Sequence, residues 1–122
     1  MQTFRFLDFK VYKDAKNFYK QVVEITGEFP REHRELADQL RRATLSVCLN
    51  IAEGSAKFSD RDFKRYLENS LGSINECLAG LDIALENCLI TITSFQGCRT
   101  VAESIAKQLG GMAKKLRATS YK

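Results

Sequence analysis

From Phe63 to Cys88 the sequence keeps one rhythm. Phe63, Leu67, Ser70, Ile74, Cys77, Leu81, Ala84 and Cys88 succeed one another at alternating steps of four and three. On an α-helix such steps keep every member on one face, whereas in a strand each step of three would flip the side chain to the other face. A single long helix is the reading. A helix with one apolar stripe cannot stand alone in water and needs neighbours to cover it.

Three other segments supply those neighbours. Val11, Ala15, Phe18, Val22 and Ile25 mark the first. Leu36, Leu40, Ala43, Val47 and Ile51, with Ala37, Thr44 and Cys48 alongside, mark the second. Phe95, Cys98, Ala102, Ile105, Leu109, Met112 and Leu116 mark the last. The spacing predicts helices over about 7–26, 33–53, 60–87 and 94–117. Gly27 and Pro30 stop the first, and Gly54 suits the left-handed position just beyond the second. Ser59 can cap the third, with Asp60 and Asp62 at its positive dipole end. Thr93 followed by Gln96 reads as a capping box for the fourth, and Lys114, Lys115 and Arg117 complement its negative end.

Short links imply antiparallel neighbours, and a 3.5-residue rhythm favours crossing angles of about 20°. The 122 residues are enough for one real core. The expected fold is all-α: one domain, residues 1–122, forming an up-down-up-down four-helix bundle.

Several function classes fall away. The longest apolar run is far short of the ~20 residues of a membrane span, and Met1 to Arg5 does not lead into a signal-peptide core. A soluble, cytoplasmic protein without membrane contact is expected. Cys48, Cys77, Cys88 and Cys98 all fall on the predicted buried faces, none in a C-x-x-C pair, and His33 is the only histidine. Reduced thiols acting as small apolar side chains fit better than disulfides or a metal site. With no base near a Ser or Cys nucleophile, no Glu-x-x-His pair and no glycine-rich loop after a strand, the reading is a non-enzyme without a cofactor.

Charge leaves binding open. The net charge is +4 and the pI about 8.9. Lys13, Lys16 and Lys20 form one basic surface. Arg41 and Arg42 join Lys57, Arg61, Lys64 and Arg65 in a second around the turn after the second helix. Either these cations bind phosphates or they are a solvated face. Asn50 stands between apolar residues, and Glu53 sits where the helix dipole disfavours an acid. A hydrogen bond from Asn50 to a neighbouring helix and an ion pair from Glu53 to Arg41, Arg42 or Arg61 would account for them; an exposed binding site is the alternative. Tyr12, Tyr19, Val23, Leu45, Leu49, Leu71, Leu78 and Leu85 exceed what one core requires and are candidates for contacts between copies of the chain.

Phe29-Pro30, Glu35-Leu36, Gln39-Leu40-Arg41-Arg42-Ala43 and Asn50-Ile51-Ala52-Glu53-Gly54, then Ser59, Phe63, Leu67, Gly72-Ser73 and Glu76, form an ordered set. With it the chain resembles the bacterial family named for reading frames in intervening sequences of 23S ribosomal RNA genes, often labelled ribosomal. It is more distantly similar to the accessory variability determinant proteins of diversity-generating retroelements. Tyr12, where Trp is common, and Ser55-Ala56-Lys57 depart from the usual pattern. The resemblance implies a bundle that assembles into a ring, a pentamer. In the retroelement relatives it implies a basic ring that binds nucleic acid and a reverse transcriptase. Two expectations result: an oligomeric bundle that binds RNA, DNA or a nucleic-acid-processing partner through its basic residues, or a protein-only scaffold.

Overall fold

The structure is a computed structural model that describes residues 3–120, with side chains through Leu116. The Arg117 side chain lies outside the described residues. Four helices run in order: α1 (Lys10–Thr26), α2 (Arg34–Ser55), α3 (Asp60–Glu86) and α4 (Ile92–Ser120). Short 3-10 turns precede α1 at Arg5–Asp8 and α2 at Arg31–His33. No strand occurs among the described residues.

The helices form a closed circuit. α1 packs on α2, α2 on α3, α3 on α4 and α4 on α1, while among the described residues the diagonal pairs bring no Cα atoms within 8 Å of each other. The predicted stripes face the middle. Phe18, Leu40, Ile51, Leu67, Leu81, Ile105 and Leu109 are almost wholly buried there. Each such side chain contributes about 1.5–3 kcal/mol by leaving water. On the rim of α1, Asp14 accepts hydrogen bonds from Lys10 Nζ (2.7 Å) and from Gln108 Nε2 of α4 (2.9 Å). These hydrogen bonds, that from Lys10 first, hold its carboxyl below the usual range.

Small residues line the contact between α2 and α3. Ser70 Oγ donates to the Val47 carbonyl (2.9 Å), and Ser73 Oγ donates to Ser46 Oγ (2.9 Å). Leu40 lies over Gly80, and Gly54 lies under Phe63 and Tyr66. The partner's number therefore falls along α3 as it rises along α2.

Gly54 corrects one expectation. It lies inside α2, and no described glycine has a positive φ. A Cβ there would sit 2.7 Å from Tyr66 Cβ and 3.0 Å from Phe63 Cδ1. The residue is small because two helices meet on it, not because the chain turns there. Gly80 behaves alike, since an added Cβ would come within 2.6 Å of Leu40 Cδ2. Gly72 meets nothing within 4 Å, so close packing does not explain it.

The helix ends bring further corrections. Phe9 is extended (φ −67°, ψ 129°), so α1 begins at Lys10 and Leu7 falls in the preceding turn, exposed. Ser59 caps α3 as expected, its Oγ accepting from the Asp62 amide at 3.1 Å. The cap of α4 is Thr91 rather than Thr93: its Oγ1 accepts from the Ser94 amide at 3.1 Å, and the helix starts one residue later at Ile92. α3 closes with the Leu89 amide bonded to the Ala84 carbonyl and the Cys88 amide to that of Leu85. This reciprocal pair needs a left-handed residue, and Cys88 supplies it at φ 59°. Cys88 is accordingly exposed rather than buried, because the chain has left the helix before the stripe's last step.

These contacts separate two kinds of glycine. Gly72→Ala should raise stability by about 1 kcal/mol, the ordinary gain of Ala over Gly in a helix. Gly54→Ala should lower it by about 1–3 kcal/mol through overpacking. Thermal or urea unfolding of the two variants reads both signs; equal shifts in the same direction would contradict the assignment.

Candidate functional site

The six candidate cations do not form one surface. Arg41 is half-buried, and its Nε donates to Thr26 Oγ1 (2.9 Å), tying α2 to the end of α1. The Thr26 hydroxyl in turn donates to the Val22 carbonyl (2.8 Å). Arg42 Nη2 donates to Gln39 Oε1 (3.0 Å), and Gln39 Nε2 reaches Glu76 Oε2 on α3. Arg42 is therefore level with Glu76, roughly 16 Å along α3 from Arg65 at 1.5 Å per residue. Arginines adjacent to the turn in a linear reading belong to the far half of the helix pair.

Lys57, Arg61, Lys64 and Arg65 do gather, at the end where α2 passes into α3. Lys57 Nζ lies 5.0 Å from the centre of the Tyr66 ring and Arg65 Cζ 5.4 Å from it. Both are within cation–π range. Arg61, Lys64 and Arg65 line an open cleft of about 610 Å³ with Ser59, Asp62 and Glu68. Lys64 approaches Glu68 (3.9 Å) and Arg65 approaches Asp62 (3.7 Å). Exposed pairs of this kind contribute about 0.2–1 kcal/mol, so a phosphate can compete for either cation. Among the described residues Arg61 has no ion-pair partner.

Arg5 joins this end, although its place in the chain does not point there. Its Nε and Nη2 donate to the Ser55 carbonyl (3.3 and 3.1 Å), satisfying the last turn of α2. Its guanidinium lies 5.8 Å from the Phe9 ring centre and 5.3 Å from that of Phe63. The signal in the sequence is a cation set among Phe4, Phe6 and Phe9, though its partner is 50 residues away.

Asn50 and Glu53 part company. Asn50 Nδ2 donates to the Ser46 carbonyl (2.9 Å) and Ser46 Oγ (3.0 Å) of its own helix. It reaches α3 only through Ser46 and Ser73, so a direct bond to the neighbouring helix is not made. Glu53 is exposed, and among the described residues it has no ion pair with Arg41, Arg42 or Arg61.

The surplus apolar residues occupy two places. On α2, Leu45 and Leu49 continue the row of fours begun by Arg41, and they are 40% and 54% exposed. On α1, Tyr12, Tyr19 and Val23 are half-buried and lead up to Thr26. The Arg41–Thr26 bond joins the two rows, which flank the α1–α2 seam. Phe6 stacks edge-on against Tyr12 (5.0 Å), and Lys16 Nζ lies 5.0 Å from the same ring. Leu71, Leu78 and Leu85 lie instead on the flank of α3 turned away from Ser73, half-buried against the core.

No helix among the described residues is long and apolar enough to cross a membrane. Among those residues no three His, Cys, Asp or Glu side chains gather as metal ligands. Burial pushes the Cys77 thiol up to about 12 and the Cys48 thiol up to about 11, and raises that of Cys98.

The class of protein so defined is a single four-helix bundle with a basic end and an apolar seam. Within that class the chain belongs to the 23S rRNA-intervening sequence protein family, whose model matches residues 7–111. It is similar to a crystal structure of a protein of unknown function from the S23 ribosomal protein family of Bacteroides thetaiotaomicron VPI-5482. The TM-score is 0.79 at 24% identity, covering 85% of this chain and 98% of that chain, a likeness of fold. No curated protein matches the chain.

The thiols offer a direct check on the helix ends. One cysteine, Cys88, should react with a maleimide in the native protein at neutral pH, and all four after unfolding. Because burial raises the folded pKa values of Cys48, Cys77 and Cys98, those three thiols favour the fold fully below about pH 8.5, where unfolded cysteine is protonated. That contribution should fade as pH rises toward the folded values of about 11 and 12.

Proposed function

We propose that this chain is a non-enzymatic bundle of up-down-up-down topology that binds RNA or DNA through the basic end formed by Lys57, Arg61, Lys64 and Arg65. The observation that carries the reading is that these four cations gather at the start of α3 and in the turn before it, Lys57 and Arg65 against the Tyr66 ring and Arg61, Lys64 and Arg65 around one cleft, with only weak carboxylate partners. A helix start fixed by Ser59 holds them in place without help from a ligand. Arg41 and Arg42 leave the contact set, because Arg41 holds α1 and Arg42 is engaged with Gln39.

Assembly strengthens the case. The cations of one chain are few, and a ring of copies would repeat them around one axis. The α1–α2 seam, with Tyr12, Tyr19, Val23, Leu45 and Leu49, is the surface we assign to contacts in such a ring, a pentamer in this reading. The family's association with 23S rRNA intervening sequences agrees with an RNA ligand, and a nucleic-acid-processing protein of reverse-transcriptase type is a compatible partner. The setting is the cytoplasm. A second reading, a protein-only scaffold, draws on the exposure of Leu45 and Leu49, which would equally suit a polypeptide partner.

A salt titration of RNA binding tests the first reading. The logarithm of the association constant should fall with the logarithm of salt concentration, by about 0.7 per phosphate contacted on a single strand. Lys57→Ala and Arg61→Ala should each flatten that slope, whereas Arg41→Ala should chiefly lower stability. Absence of binding at low salt would leave the scaffold. Light scattering tests the ring: five copies are expected, and Leu49→Glu should reduce them to smaller species. A wild-type monomer would remove the seam's assigned role.

A further inference from the structure

The basic end carries an aromatic side chain that neither the core nor the seam uses. Phe58 sits in the turn between α2 and α3 and is fully exposed, at 108% of its reference area. A phenyl ring left wholly in water is uncommon, since burying it would gain about 1.5–3 kcal/mol. Among the described residues no other ring lies against it. Phe4, also exposed, stands at the same end through its neighbour Arg5. Arg5, Lys57 and Phe58 line one cleft of about 480 Å³ with Ser55, Asp60 and Phe63.

Charge at this end is mixed. The end carries Arg5, Lys57, Arg61, Lys64 and Arg65 together with Glu53, Asp60, Asp62 and Glu68, five cations and four carboxylates. That near-balance is too weak to hold a duplex backbone by charge alone, because duplex affinity rests on neutralising many phosphates. A single strand offers something further. Its bases are free to stack on an exposed ring, and the contact does not depend on sequence because every base has a π-face. A duplex keeps its bases stacked on one another and presents Phe58 with sugar and phosphate.

Resting on the nucleic-acid reading above, we infer that the basic end selects single-stranded nucleic acid, with Phe58 as the ring on which a base stacks and Lys57 and Arg61 as the flanking phosphate contacts. The turn suits this use. Arg5 anchors its α2 side at the Ser55 carbonyl and Ser59 anchors its α3 side, so the ring is presented from a short segment fixed at both ends.

The chain has no tryptophan, so Phe58→Trp installs a single reporter. Fluorescence anisotropy with a labelled mixed-sequence 12-mer RNA, free and as a duplex, is compared for wild type, Phe58→Ala, Phe58→Trp and Lys57→Ala/Arg61→Ala. Wild type should prefer the single strand. Phe58→Ala should weaken single-strand binding about tenfold with an unchanged salt slope, and leave duplex binding within twofold. Phe58→Trp should keep affinity, and its emission should be quenched by the single strand. The double variant should flatten the salt slope. Single-strand binding with no quenching and no loss in Phe58→Ala would overturn the stacking role while leaving the nucleic-acid reading in place. No binding of either form at low salt would overturn both. If, in addition, a polypeptide partner were lost on Phe58→Ala in nuclease-treated extract, the ring would be a protein contact instead.

Discussion

The close approach of α2 and α3 is the constraint on which the rest of the molecule depends. Two helices draw this near only where at least one of the residues that meet is small, and that holds at each of the seam's contacts. Leu40 lies over Gly80, Ser46 meets Ser73, Val47 meets Ser70, and Gly54 meets Tyr66 and Phe63. The hydroxyls add a second condition. Ser70 is fully buried, and a buried hydroxyl without an acceptor costs about 1–3 kcal/mol. Its bond to the Val47 carbonyl therefore fixes the register of one helix on the other as well as their separation.

That register sets the shape of the basic end. With Gly54 under Tyr66, the last turn of α2 and the first turns of α3 stand side by side, and the chain between them has only a few residues in which to reverse. Lys57 and Arg65 are then both delivered to the Tyr66 ring. Phe58, in the same short turn, is left fully exposed. An unsupported carbonyl would weaken this corner, and the Arg5 guanidinium supplies the missing donor from the start of the chain. A packing rule deep in the bundle thus decides which charges meet on its surface.

The core was legible in the sequence because burial and helical period are the same information. Every position from Phe63 to Ala84 in the four-three rhythm is buried, and the stripe on α4 is buried at Phe95, Cys98, Ala102, Ile105 and Leu109. Ends were less legible, because a cap is decided by which of several similar residues the chain enters from. Thr91 and Thr93 are equally able to accept a hydrogen bond, and only the path out of the left-handed Cys88 chooses between them. Gly54 misled for a different reason. A glycine near a helix end has two uses, turning the chain or admitting a neighbour, and the neighbour's identity is not local information. The candidate cations divide in the same way. Lys57, Arg61, Lys64 and Arg65 are close in sequence and close in space. Arg41 and Arg42 are adjacent to them across the turn only in a linear reading, since they lie roughly 16 Å along the paired helices from Arg65.

That separation also changes what the arginine pair means. Adjacent arginines on a helix point about 100° apart and cannot serve one surface, so Arg41 and Arg42 have two fates. Arg41 turns toward α1 and is held by Thr26, whose hydroxyl bonds to the carbonyl of a residue one turn earlier. Arg42 turns toward α3 and is held by Gln39, which reaches Glu76. One arginine locks α2 to the helix before it and the other contributes to the polar surface shared with the helix after it. The pair that looks most like a phosphate clamp in the sequence is therefore joinery for α2. The weakly paired cations lie instead at the far end, where an aromatic ring stands in water beside them, and that is the end to which the proposed function assigns the ligand.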